Sequence, residues 1–179
     1  MVQKMDKVKR FIREMIFTII IAGLITFIIK FYFLDNRIIP TSSMYPTIYA
    51  GDMVFVNKLV YRFSVPQRGD IIVFEPHEEV SKDDLIKRII ALPGETVEIK
   101  DHQVFINGEA IEEPYLNEAP QYDFGPVEVP KEHLFVLGDN RNMSFDSHRW
   151  PDPFLEISSV KGKAFFRYWP LKRIGRLKS

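Results

Sequence analysis

A mainly β domain behind one N-terminal membrane helix is the fold class this sequence predicts, and three observations carry the prediction. A basic flank near the start leads into the only long apolar run in the chain. Seven short runs rich in β-branched and aromatic residues follow, each punctuated by turn residues. Past the first run, no amphipathic helical periodicity competes with them. The chain has 179 residues, room for one ordinary domain and an appendage. Its 24 basic and 24 acidic residues cancel to a net charge of +0, so the whole chain carries no nucleic-acid footprint. Absence of cysteine excludes disulfides, thiolate zinc sites and cysteine nucleophiles. No metal-ligand spacing appears either, so no cofactor is expected.

The helix comes first. Residues 1–14 carry Lys4, Lys7, Lys9, Arg10 and Arg13 against Asp6 and Glu14. Met15 to Ile29 is uncharged, and apolar character resumes after Lys30 with Phe31-Tyr32-Phe33-Leu34. Residues 15–34 have about the length that crosses a bilayer core. Lys30 near the far end can snorkel to the headgroups, and Tyr32 suits the interface. The run is too long for the apolar region of a cleavable leader, and no small-x-small site follows it. An uncleaved anchor is expected, with the basic flank in the cytoplasm and residues 35–179 on the outer face of the cell membrane.

The outer part reads as a folded-over antiparallel β-sheet core. Its expected strands are Asp52–Asn57, Asp70–Glu75, Leu85–Leu92, Thr96–Lys100, Gln103–Ile106, His133–Leu137 and Lys163–Trp169. Asn107-Gly108 suits a tight hairpin. Between about 109 and 131, six acidic residues alternate with Pro114, Pro120, Pro126 and Pro130, which predicts a solvated excursion and no second core. The basic, aromatic C-terminus, Arg167 to Lys178, reads as a solvated tail, with contact to anionic headgroups as a second reading.

Three segments can carry chemistry. In Pro40-Thr41-Ser42-Ser43-Met44-Tyr45-Pro46-Thr47-Ile48, two prolines stiffen the residues before them and hold a serine pair between fixed points. Composition favours neither serine. A serine nucleophile needs a base. Lys87 lies in Leu85–Leu92, a strand apolar on both faces, with Leu85 and Ile89 on its own side and Arg88 opposite beside Ile86 and Ile90. Desolvation there penalises the ammonium and lowers its pKa, which makes a neutral amine available as base. The other reading is a cation snorkelling at a sheet edge. Among the four histidines, only His148 has an acid in a suggestive cluster, so a Ser43–His148–Asp146 triad stays open. The third segment, Gly138-Asp-Asn-Arg-Asn-Met-Ser-Phe-Asp-Ser-His-Arg149, is a polar loop leaving a buried strand.

Five stretches in order resemble the sequence boxes of bacterial type I signal peptidases. They are Pro40–Ile48, Gly51–Lys58, Arg68–Phe74, Lys87–Glu95 and Gly138–Ser147, behind an anchor of matching length. The resemblance spans nearly the whole chain. It implies a β-rich Ser/Lys-dyad endopeptidase that removes signal peptides from exported preproteins at the membrane surface. By the same resemblance, Ser43 before Met44 is the nucleophile and Lys87 the general base. Thr41 is the side-chain oxyanion donor, and Ser144 orients the lysine. Asp146, Asp139 and Arg88 belong to supporting ion pairs, while Ile39 and Ile86 line small pockets suited to Ala-x-Ala sites.

Some positions depart from that pattern. His148 stands where the family usually has arginine, with Arg149 after it, and Pro151-Asp152-Pro153 replaces a stretch that commonly holds glycine. Ala91 replaces a frequent glycine. The implied partners are preprotein signal peptides and the lipid bilayer, with no nucleic acid; oligomeric state is left open. Two other classes compete: an anchored β-domain that binds export or envelope partners without catalysis, and a self-cleaving Ser/Lys repressor-type protease. The expected anchor and the lack of a DNA-binding segment weigh against the last. Ser43 falls about nine residues past the anchor, within ~30 Å even when fully extended.

Overall fold

The computed structural model describes residues 2–28 and 33–178. Helix α1 spans Val2–Ile28, and the side chains from Arg10 to Phe27 are exposed. Thr18 and Thr26 donate their hydroxyls to the carbonyls of Glu14 and Ala22, one turn back, so neither leaves a donor unpaired on an apolar helix. Among the described residues, no helix is long and apolar enough to cross a membrane. The expected span 15–34 runs beyond α1, and its residues 29–32 lie outside the described residues. Its last residue, Leu34, opens a strand instead.

The strands in chain order are β1 (Leu34–Ile38), β2 (Met53–Asn57), β3 (Ile71–Phe74), β4 (Leu85–Ala91), β5 (Thr96–Lys100), β6 (Gln103–Ile106), β7 (Glu109–Ala110), β8 (Phe124–Glu128), β9 (His133–Leu137), β10 (Leu155–Glu156), β11 (Val160–Trp169) and β12 (Gly175–Arg176). Eight of them form one antiparallel sheet in the order β1-β2-β11-β3-β4-β9-β10, with β12 on β11; the other four form a second sheet, β7-β6-β5-β8. A mainly antiparallel β-fold is therefore what the chain adopts. Past β1, helical structure among the described residues is confined to the short α2 (Val60–Phe63) and single 3₁₀ turns.

Period-2 alternation explains the layering. Every residue of β3 is buried, but Ile71 and Val73 join one apolar cluster while Ile72 and Phe74 join another. In β4, Leu85 and Ile89 pack in the second cluster and Ile86 in the first, the split expected from the sequence. The central strands are thus covered on both faces, and a polar side chain there must be buried. The β6–β7 hairpin turns at Asn107-Gly108, both with positive φ (53° and 83°), as a two-residue loop that matches sheet twist demands.

Two expectations are corrected. The segment 109–131 is not simply a solvated excursion: it supplies β8 to the second sheet, and its Ile111, Tyr122, Phe124, Val127 and Val129 join the cluster between the sheets. Proline and acid dominate the composition, but the apolar residues between them are enough to pack. The C-terminus is not a solvated tail either. β12 pairs with β11, Leu177 packs on the first cluster, and Arg173 pairs with the fully buried Asp52 while its guanidinium lies 4.4 Å from the Tyr49 ring centre. A buried carboxylate needs cations close by, and Arg173 and Arg167 supply them.

Candidate active site

Ser43 sits on a compact turn between β1 and β2. Tyr45 N–H donates to Ser42 O at 3.0 Å and Ile48 N–H to Met44 O at 2.8 Å. Met44 and Ile48 are fully buried, so two apolar pegs fix the turn and leave Thr41 and Ser42 exposed beside the nearly buried Ser43. The loop after β9 clamps the same turn from the other side. Asn140 N–H donates to Ser43 O at 3.0 Å, and its amide Nδ2 to Ser42 O at 3.2 Å.

Lys87 is the third residue of β4 and only 3% exposed. Its Nζ lies 2.7 Å from Ser43 Oγ, a contact across 44 residues of chain. Burial is the largest influence on the amine and brings its pKa down from 10.5 to about 8; the negative charges of Asp146 and Asp139 act in the opposite direction. Lys87 is therefore not a snorkelling edge cation. Thr41 Oγ1 lies 3.4 Å from Ser43 Oγ.

Arg88, the next residue, is fully buried and fully engaged. Its Nε and Nη2 donate to the two carboxylate oxygens of Asp139, each at 2.8 Å, in the fork geometry that suits guanidinium and carboxylate. Nη1 donates to Gly69 O at 2.8 Å and Lys178 O at 3.0 Å, and the Tyr115 ring centre lies 3.9 Å from Cζ. Asp139 also accepts the Thr47 hydroxyl, which ties the pair back to the Ser43 turn. Arg141, buried beside it, pairs with Glu113 and donates to Gly138 O.

Asp146 is likewise buried. One oxygen accepts Gly138 N–H at 2.8 Å and the other is 2.5 Å from His148 Nδ1. The His148 ring stacks on Tyr122 with centroids 3.8 Å apart. His148, not the exposed Arg149, is thus the hydrogen-bond partner of Asp146. The Ser43–His148–Asp146 triad is not formed: the partner of Ser43 is Lys87. Ser144 is buried, but its Oγ makes no hydrogen bond among the described residues, so the lysine-orienting bond expected of it is not present in this arrangement. It packs against Gly138, where an added Cβ would stand 2.3 Å from Ser144 Oγ and 2.4 Å from Ser43 O. Only glycine lets the loop come this close to the serine backbone.

Ile39 and Ile86 are 2% and 7% exposed and share one apolar cluster with Met44. They pack behind the turn and offer little open surface. Sequence reasoning missed Asn140, Thr47, Glu113 and Tyr115. Asn140 stood inside the loop already singled out, whereas Glu113 and Tyr115 looked like any acidic, proline-flanked stretch. Among the described residues, no three His, Asp or Glu side chains converge as a metal site.

A hydroxyl against a desolvated amine, beside a second hydroxyl and over a buried ion-pair floor, suits acyl transfer. Comparisons with known proteins point the same way. The family model described as signal peptidase, peptidase S26, matches residues 12–169. The chain is 43% identical over 155 residues to signal peptidase I of Leptolyngbya laminosa, covering 83% of this chain and 75% of that protein. It is 44% identical over 176 residues to probable signal peptidase I-1 of Synechocystis sp., covering 95% and 89%. With signal peptidase I T of Bacillus subtilis it shares 38% over 170 residues, covering 89% and 86%. The chain belongs to the peptidase S26 signal peptidases and is a type I enzyme of that family.

Proposed function

We propose that this enzyme removes signal peptides from exported preproteins through a Ser43/Lys87 dyad while anchored to the cell membrane. The observation that carries the reading is the 2.7 Å contact between Lys87 Nζ and Ser43 Oγ in a buried setting that lowers the amine pKa to about 8. At pH 7 roughly one amine in ten is then neutral, against fewer than one in a thousand for a free lysine. The protonated amine donates to the hydroxyl oxygen; the neutral amine, at the same spacing, accepts the hydroxyl proton.

Ser43 Oγ attacks the scissile carbonyl carbon as Lys87 takes its proton. The carbonyl oxygen becomes an oxyanion that the Thr41 hydroxyl and the Ser43 backbone N–H stabilise. Collapse breaks the C–N bond, and the amine of the mature chain leaves with the proton from Lys87. Water, deprotonated by Lys87, then attacks the Ser43 ester carbonyl; the C–Oγ bond breaks as Lys87 returns that proton to Ser43 Oγ, which frees the signal peptide. Asp139, Arg88 and Asp146 hold the loop and turn in register. Ser144, buried against Gly138, is the residue to which this reading assigns the orienting of the lysine. Ile39 and Ile86 form the apolar walls for small side chains of Ala-x-Ala-like sites. The apolar run that begins at Met15 serves as a single-pass anchor ending ahead of β1, with the N-terminus cytoplasmic and the catalytic domain on the outer face, which keeps Ser43 near the bilayer where cleavage sites emerge.

The test is cleavage of a preprotein by detergent-solubilised enzyme. Wild type and Ser42→Ala should release the mature chain, and Ser43→Ala and Lys87→Ala should not. A Ser43→Ala or Lys87→Ala enzyme that cleaves normally would overturn the dyad.

A further inference from the structure

A cavity of about 220 Å³ opens beside the Ser43 turn, and nothing in the mechanism above uses it. It is walled on one side by Tyr45, two residues past Ser43, and on another by Asn140, whose backbone and side chain both bond the Ser42–Ser43 carbonyls. The far wall comes from the 109–131 segment through Asn117 and Glu118. The opening adjoins the turn that carries the nucleophile, two residues along the chain from it, and has room for about one side chain.

Its charge is one-sided. Of the ionised groups lining it, Asp139 is matched by Arg88 and Arg141 by Glu113, each through paired hydrogen bonds. Glu118 is exposed and has no cation partner among the described residues; its side chain accepts a 3.4 Å hydrogen bond from the Asn142 amide. The cavity therefore presents an unmatched carboxylate, a tyrosine and two asparagine amides. That combination favours a cationic side chain, through charge, cation–π attraction and hydrogen-bond acceptance.

We propose that this cavity is a substrate subsite for a lysine or arginine flanking the scissile bond, with Glu118 as its specificity-determining residue. The proposal rests on the peptidase reading above. Glu118 touches no reacting atom; it selects among substrates by the charge of one flanking residue.

The experiment uses the full-length enzyme in detergent and a peptide series carrying Lys, Gln or Glu, in turn, at each of the three positions on either side of the cleavage site. The readout is the ratio of kcat/KM for the Lys and Glu peptides, which cancels any general loss of activity in a variant. At one position wild type should prefer Lys by about two- to fivefold, the range of an exposed ion pair. The preference should shrink in 1 M salt. Glu118→Gln should abolish it and Glu118→Lys should invert it. Equal rates for Lys and Glu at all positions in wild type, or a preference unchanged in Glu118→Lys, would overturn the subsite. Failure of wild type to cleave any peptide in the series would instead remove the peptidase reading, and the subsite with it.

Discussion

Replacing Lys87 with Met separates what the lysine does for catalysis from what it costs the fold. The native amine has its pKa lowered from 10.5 to about 8, chiefly by burial. At ~1.36 kcal/mol per pH unit, the ammonium destabilises the folded state by about 3 kcal/mol relative to the neutral amine. At pH 7 the lysine is protonated in both folded and unfolded chains, so the full penalty is present. Met is similar in length and carries no charge; it removes the penalty and forfeits the hydrogen bond to Ser43, worth ~1 kcal/mol. Lys87→Met should therefore be inactive and about 2 kcal/mol more stable at pH 7. That advantage of the variant disappears as pH rises. Between about pH 8 and 10.5 the unfolded chain binds the proton that the folded chain has released, so wild-type stability rises relative to the variant. Urea unfolding of both proteins in the same detergent, at pH 7 and near pH 10, reads the difference directly. A variant less stable than wild type at pH 7, by a margin independent of pH, would refute the desolvated lysine.

Further predictions concern the groups beneath the dyad. Asp139→Ala strands the fully buried Arg88 without its carboxylate and should cost about 3–5 kcal/mol in urea unfolding. The double variant Asp139→Ala/Arg88→Met should recover part of that loss, because no uncompensated charge remains. At the C-terminus, Arg173→Ala removes a charged partner of buried Asp52 and should lower stability by about 1–3 kcal/mol. Lys172→Ala and Arg176→Ala, at exposed positions, should stay within about 0.5 kcal/mol of wild type.

The strands that a reader of the sequence would draw are those with β-branched and aromatic residues between turn residues, and β2 to β6, β9 and most of β11 are of that kind. β8 was hidden because Phe124-Gly-Pro-Val-Glu128 carries the two residues least at home in a strand, and its pairing with β5 supplies what local propensity does not. β1 was hidden by adjoining the apolar run, whose character continued into Leu34. Lys87 was conspicuous because two charges in an apolar strand demand an explanation on both faces. Its meeting with Ser43 was not legible from either segment, since contacts 44 residues apart leave no local trace. Only the order of five sequence boxes joined them. Tyr115 and Glu113 illustrate the limit in the other direction: their neighbours in sequence are solvated acids, and only the fold brings them onto Arg88 and Arg141.

The central claim is that a buried, largely desolvated Lys87 is the base that activates Ser43, and the pH dependence of kcat/KM addresses it most directly. Lys87 must lose its proton to act, so activity should rise with pH through a limb near 8 and level off above it. A limb at the unshifted lysine value near 10.5, or a profile flat from pH 6 to 10, would contradict the account.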